Sequence, residues 1–381
     1  MGTTHRQNST QDHIWLSRPA GASNFYADPS GRFAITTPDG VDAARLLRLD
    51  AHSAALAFVN GKFEIRGDIF EAIRCFLRQH HSPFRELIFS GLARLEHLRT
   101  SYLLGGKARA SRDIQFHYDL SNEFYSQFLD SRMIYSSAYF NKPDDTLEEA
   151  QRQKLDQICR DLVLRENERF LDVGSGWGGL VVYAAERFGV KAHGCTLAAQ
   201  QLAFSRDTVE RLGLSDRVQV DLRDYRDLRG TYDKIASVGM FEHVGPRRLG
   251  EYFKKIYSLL AAGGLFLNRG LIRPQNVTDG ADTLFLVKSV FPGSGLVHLA
   301  DVVREGERAG FEVVGLRDLR THYAFTCRRW VKNLLQNASA CRSLVNERTY
   351  RTWVLYLAAS SVALENGGTS AAQVLFAKKR Q

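Results

Sequence analysis

The residues best suited to chemistry begin in one glycine-rich turn. FLDVGSGWGGL (170–180) passes from an apolar run into Gly174, Gly176, Gly178 and Gly179, with Asp172 just ahead of the turn. Such a loop lets the backbone come close to a ligand, and the amides that open the following helix then face it. Further polar residues stand where apolar runs end. They are Thr196 and Gln201 in CTLAAQQ and Asp224 and Tyr225 in LRDY. If those runs are parallel strands, their carboxyl ends bring all of these residues to one edge.

The pattern discriminates between ligands. A dinucleotide site wants an acidic residue at the end of the second strand to bind ribose hydroxyls. Here that strand, VKAHGCTL, contains no acid and ends at Thr196. The third strand instead supplies Asp224 and Tyr225, which can meet an adenine ring by hydrogen bonding and stacking. One glycine loop, Asp172 before it and this third-strand pair suit S-adenosylmethionine better than NAD.

The elements that must position these residues follow from periodicity. From about residue 145, helical and strand-like segments alternate. A helix carrying Leu147, Leu155, Ile158 and Leu162 precedes a strand over 169–173. A helix after Gly179, the strand VKAHGCTL and a helix over 199–212 come next. RVQVDLRDY, YDKIASVGMF and LFLNRGLI continue the series, and GFEVVGLRDL with AAQVLFAKK closes it. This βαβ alternation predicts an α/β fold with a doubly wound, mostly parallel sheet. Upstream, residues 1–40 are polar and loop-like. ALAFVNGKFEIRGD alternates as two short strands around Asn60-Gly61, a hairpin signal. Asp68 then caps a helix with Ile69, Ala72, Ile73, Phe76 and Leu77 on one face, and a second helix carries Leu87 to Leu98. TSYLLGGKARASRD marks a boundary, giving a small N-terminal domain (1–105) and a larger domain (106–381). Its Lys107, Arg109 and Arg112 read either as a solvated linker or as a strip for lipid headgroups.

Composition bounds the rest. The 381 residues are 44% hydrophobic and 24% charged, with a net charge of +9 and a pI near 9.3. Such a basic balance suits an anionic partner. No apolar run reaches the length of a membrane span, and the N-terminus lacks a signal core, so a cytoplasmic location is expected. The five cysteines form no CxxC pair, which favours reduced thiols over disulfides or a metal site.

Longer motifs make a resemblance specific. HYDLSNEFYSQFLDSRMIYSSAYF (117–140), FLDVGSGWGGL, CTLAAQQ, RDYRDL, SVGMFEHVGP (237–246), FPGSGL (291–296) and HYAFTCRRW (322–330) occur in this order. Together they resemble the cyclopropane-fatty-acyl-phospholipid synthase family, which includes mycolic-acid methyltransferases, over roughly residues 110–381. The resemblance implies a class I, Rossmann-like methyltransferase domain and a smaller N-terminal α+β lipid-associated domain. It implies S-adenosylmethionine as methyl donor and an unsaturated phospholipid acyl chain as acceptor. In that chemistry a cis double bond attacks the methyl carbon, and a base removes a proton from the resulting carbocation. Loss from the transferred methyl closes a cyclopropane; loss from a neighbouring carbon gives a methylated alkene or, after reduction, a methyl branch.

By motif position, Tyr135 and Ser136 flank the donor. Gly174, Gly176 and Gln201 surround its amino-acid and ribose parts, with Asp172 and Thr196 beside them. Asp224 and Tyr225 lie near the adenine. Glu242 helps hold a bicarbonate ion that acts as base, and Tyr323 serves the same place. Tyr118, Phe124, Tyr125, Tyr135, Tyr139, Phe140 and Tyr323 are the aromatic residues available to wall the cation, and most are expected to pack as core. His117 and His243 are expected to be structural.

Two positions depart from the cyclopropane-forming members. Ser137 stands where they carry cysteine, and Arg269 stands where they carry histidine. Serine keeps a hydrogen-bonding hydroxyl, whereas arginine replaces a titrating group by a permanent cation. Arg269 either clamps a carbonate or pairs with Glu242 and displaces the anion, which argues against bicarbonate and leans toward a branched product. Glu242, Tyr323, Arg269 and Ser137 are thus the catalytic candidates. The expected setting is peripheral, at the inner face of a membrane, without nucleic acid; a homodimer stays open. The rival readings are a small-amine N-methyltransferase and a lipid-binding protein with a decayed site.

Overall fold

A computed structural model describes residues 25–38, 42–46, 48–79, 120–277 and 296–380. The basic linker, His117, Tyr118, the helix with Leu87 to Leu98, the 105/106 boundary and all of FPGSGL except Leu296 lie outside the described residues.

Seven strands form the central sheet: β4 (Arg169–Val173), β5 (Lys191–Thr196), β6 (Val218–Leu222), β7 (Tyr232–Val238), β8 (Leu260–Ile272), β9 (Phe311–Asp318) and β10 (Ser370–Lys378). Their order is β6-β5-β4-β7-β8-β10-β9. The first five run parallel; β10 lies antiparallel between β8 and β9. The chain order reverses at β4, so the loops after β4 and β7 open a crevice at the carboxyl edge. Covering helices include α5 (Leu147–Asp161), α6 (Gly179–Phe188), α7 (Ala199–Arg211), α8 (Leu249–Leu259) and α9 (Leu299–Arg308). The doubly wound reading therefore holds. β4 is buried from Phe170 to Val173, because helices cover both faces and each needs an apolar contact. Thr146 and Glu149 form a capping box that fixes where α5 begins.

The N-terminal part holds a three-stranded antiparallel sheet, β1 (Phe25–Ala27), β2 (Phe33–Thr36) and β3 (Glu64–Gly67), with α1 (Ala43–Leu46), α2 (Ala51–Val59) and α3 (Ile69–Gln79). The predicted hairpin at Asn60-Gly61 is half wrong. Its first arm is helix α2, capped by Asp50, whose carboxylate accepts the Ser53 amide at 2.9 Å. Ala54 and Phe58, four residues apart, both turn inward, so the cap and a helical stripe override the apparent alternation. Asn60 ends the helix, and Gly61 turns the chain at φ +70°. The cap at Asp68 forms as expected, accepting from Phe70 and Glu71 at 2.8 and 3.2 Å.

The remaining helices are α4 (Asn122–Ser126), α10 (Arg320–Gln336), α11 (Ala338–Leu344) and α12 (Glu347–Glu365). Phe33, Ile35, Phe58, Phe63 and Phe76 of the N-terminal part share one core with Phe124, Tyr125, Trp330 and Trp353. Arg351 of α12, 6% exposed, fastens the two sides. It donates to the carbonyls of Phe58 and Phe63 at 3.2 Å and pairs with Glu64 and Glu347. Cys159, Cys195, Cys327 and Cys341 are buried free thiols. Among the described residues no helix is long and apolar enough to cross a membrane.

Candidate active site

The glycine loop follows β4 directly. Gly174, Gly176 and Gly178 all take left-handed angles, at φ +81°, +54° and +86°. A Cβ on Gly176 would meet nothing within 4 Å, so this bare stretch of backbone borders open space. The loop forms one side of a cleft of about 700 Å³ including its mouth. Gly174, Gly176, Thr196, Gln201, Asp224 and Tyr225 all line it, so the structure brings together six of the nine expected donor residues.

Their hydrogen bonds sharpen the picture. Thr196 Oγ1 accepts from the Ala198 amide and donates to Gln201 Oε1 at 2.7 Å. With its oxygen taken, the Gln201 amide offers N–H groups to a ligand. Asp224 accepts from the Arg226 backbone amide and Nε at 2.9 and 2.8 Å and pairs with its guanidinium. That pair fixes the turn carrying Tyr225, whose ring packs edge-on against Tyr252 at 5.6 Å. The other three residues sit elsewhere. Asp172 is buried behind the loop, its Oδ1 has no hydrogen-bond partner among the described residues, and burial pushes its carboxyl up to about 7. Tyr135 packs at 5.1 Å from Trp330 within the aromatic core. Ser136 lies next to Gly239, where a Cβ would stand 3.8 Å from that of Ser136.

Gly239 also lines a second, smaller pocket of about 240 Å³. Glu242, Tyr323, Arg269 and Ser137, the four catalytic candidates, line this pocket together with Ser136. Glu242 sits on the 3₁₀ turn Phe241–His243. Its Oε1 accepts the Leu271 amide at 2.8 Å, and Oε2 has no partner among the described residues. Burial pushes its carboxyl up to about 7, the range a general base needs near neutral pH. The turn fits only because residue 270 is glycine: a Cβ there would fall 2.5 Å from Glu242 Oε1 and 2.6 Å from the Phe241 ring.

Arg269 does not pair with Glu242. It is 1% exposed and points its Nη2 at the carbonyls of Ser137 and Ala138, at 2.8 and 3.1 Å. Its Nε and Nη1 have no partner among the described residues. Burial and nearby Arg317 draw it down to about 9, so it stays cationic at neutral pH. Ser137 Oγ turns to the Ala138 carbonyl at 3.0 Å.

Most of the aromatic candidates pack as core. Phe124, Tyr125 and Tyr135 cluster with Phe128, Trp330 and Trp353; Tyr139 stacks on His322 at 4.3 Å, and Phe140 packs on Phe325. Tyr323 is the one of the seven that lines the second pocket among the described residues. Two contributors, Trp177 and Lys154, escaped the sequence reading, and His243, which it weighed, stands at the cleft. His243, expected to be structural, lines the donor cleft, and burial draws its imidazole down to about 4. Trp177 donates from Nε1 to Asn122 at 2.7 Å and so ties α4 to the glycine loop. Lys154 is buried beside Ser136. Its one available signal is phase: Leu147, Gln151, Lys154 and Ile158 share a helical stripe.

Fold and cleft together define a class I, S-adenosylmethionine-dependent methyltransferase. The chain belongs to the mycolic acid cyclopropane synthetase family, which it matches over residues 106–374. It is 38% identical over 362 residues to a probable fatty acid methyltransferase of Pseudomonas putida, covering 93% of this chain and 90% of the relative. It is 30% identical over 336 residues to a sphingolipid C9-methyltransferase of Komagataella phaffii, covering 84% and 68%. Among solved structures, mycolic acid cyclopropane synthase CmaA1 complexed with SAH and CTAB superposes with a TM-score of 0.68. That match is 29% identical and covers 72% of this chain and 99% of the other.

Proposed function

We propose that this enzyme methylates carbon at the double bond of an unsaturated phospholipid acyl chain, giving a methylated alkene, which a separate reduction would turn into a methyl branch, rather than a cyclopropane. The observation that carries the reading is the second pocket. It adjoins the donor cleft at Gly239 and holds a buried carboxyl, Glu242, with one oxygen unengaged among the described residues. The names of the relatives, a fatty acid and a sphingolipid methyltransferase, support a lipid acceptor.

The donor supplies an electrophilic methyl group. As the alkene's π electrons form the new C–C bond, the C–S bond breaks and its electrons remain on sulfur. The protein's task is then to orient the chain and keep water from the cation. Glu242, deprotonated above about pH 7, accepts the proton whose C–H electrons quench the cation. Tyr323 lines the same pocket.

Arg269 supports the branched product. A guanidinium is a permanent cation that cannot take up a proton as a histidine at this position would. The unengaged Arg269 Nε and Nη1 are donors for a small oxyanion such as bicarbonate, and Glu242 Oε2 would accept that ion's own O–H, so these residues would hold it as an auxiliary proton acceptor. No step above requires it. The acceptor's place in a bilayer and the chain's net charge of +9 favour work at an anionic membrane surface. The small N-terminal part, residues 1–105, is proposed to help deliver the lipid.

Lipid mass spectrometry of a heterologous bacterial host tests the reading. Monounsaturated chains should gain one methylene against an empty-vector control, and double-bond-selective derivatisation should reveal a retained double bond. Saturated ring products alone would overturn the branched assignment. No mass change, with folded protein present, would overturn the lipid acceptor.

A further inference from the structure

Lys154 lies on α5, outside both pockets, and its side chain is buried at 2% exposure. Its Nζ donates to Ser136 Oγ at 2.8 Å and forms no ion pair among the described residues. The charged groups that act on it do so at longer range: Asp130 and Asp172 favour its charge, and Arg269 opposes it. Burial, with Arg269 second, draws the ammonium down to about 7. A buried ammonium without a contact counter-ion is costly to keep in a fold. Its neighbour Gln151, one turn earlier on α5, donates to the Ser136 carbonyl at 3.0 Å and to the Ile134 carbonyl at 3.3 Å. Two buried polar side chains of one helix thus converge on a single serine.

The consequence is directional. A serine oxygen that accepts from an ammonium must point its own hydrogen elsewhere. Ser136 lines the second pocket and adjoins Gly239, the residue both pockets share. With Lys154 protonated, its hydroxyl is therefore set as a donor at the junction of the two pockets, backed by a positive charge.

We infer that Lys154 is a positioning residue that holds Ser136 as a hydrogen-bond donor for the carboxylate of the methyl donor's amino-acid part. The arriving carboxylate also supplies the negative charge that Lys154 lacks in the free protein. The inference concerns the donor side of the site and does not depend on which acceptor is methylated.

Calorimetry with two probes tests it: S-adenosylhomocysteine, which carries the carboxylate, and methylthioadenosine, which lacks the amino-acid part. Removing a hydrogen bond to a charged group should weaken S-adenosylhomocysteine by about ten- to a hundredfold in S136A and in K154M. Methylthioadenosine should bind both variants as it binds the wild type. The double variant should be no weaker than the weaker single variant, because Lys154 acts through Ser136. Thermal stability of K154M should not fall, since an apolar side chain replaces a buried charge. Unchanged S-adenosylhomocysteine affinity in S136A would overturn the inference, and so would additive losses. Equal losses for both probes would make the pair merely structural. Should K154M not fold, the S136A comparison decides alone.

Discussion

Glu242 is a carboxyl whose surroundings set its chemistry. One oxygen is anchored by the Leu271 amide, the other has no partner among the described residues, and burial holds the group near pH 7. A base must be deprotonated to work, so turnover should rise with pH through about 7 and level off above it. E242Q keeps the shape and removes the base. It should lower turnover by about 10²- to 10⁴-fold and abolish that rising limb, with S-adenosylhomocysteine affinity intact. A pH–rate profile retaining the limb in E242Q would assign it to another group. Arg269 makes the complementary point. From sequence alone it could clamp an anion or neutralise Glu242, and its two carbonyl contacts are with residues more than 130 positions away. R269H should leave these carbonyls less well held while restoring a titrating group, and its product mixture should shift toward the ring.

At the scale of elements, the 3₁₀ turn after β7 and strand β8 are fitted to each other. A methyl group at residue 270 would strike both the Glu242 carboxylate and the Phe241 ring. G270A should therefore displace the turn, costing about 1–3 kcal/mol of stability and most of the activity. Denaturant unfolding and turnover measured on the same sample check both parts. Retained activity with normal stability would mean that the turn relaxes freely. The glycine loop and its strands were readable in advance, because strands buried on both faces become continuous apolar runs with glycine at their ends. The N-terminal hairpin misled for the opposite reason. A short alternating segment with a favoured turn dipeptide looks the same whether it is a strand or the end of a capped helix, and the Asp50 cap decided for the helix.

Over the whole molecule, the N-terminal sheet and helices do not pack as a separate body. Their aromatic residues enter the same core as Trp330 and Trp353, and Arg351 spans the join. R351A takes a donor from the carbonyls of Phe58 and Phe63, the former keeping the Gly61 amide, while Glu64 and Glu347 are about half exposed and rehydrate, so the loss should be about 1–2 kcal/mol. Because the core is continuous, tryptophan fluorescence and far-ultraviolet circular dichroism should report one coincident transition in both wild type and variant. Two separated transitions would show that the N-terminal part unfolds by itself.

The sequence by itself determined the parallel sheet, the cleft opening after β4 and the identity of the donor. Each rests on local period, strand-end residues and motifs that need no long-range contact to be read. The resemblance already grouped Glu242, Tyr323, Arg269 and Ser137; tertiary structure alone decided that they share one small pocket with Ser136, and that Gly239 joins it to the donor cleft. It alone also placed Lys154 beside Ser136 and gave Arg269 the Ser137 and Ala138 carbonyls as partners in place of Glu242. The physical reason is that periodicity fixes which face a side chain takes, whereas the partner of a buried charge depends on what distant elements bring to that face.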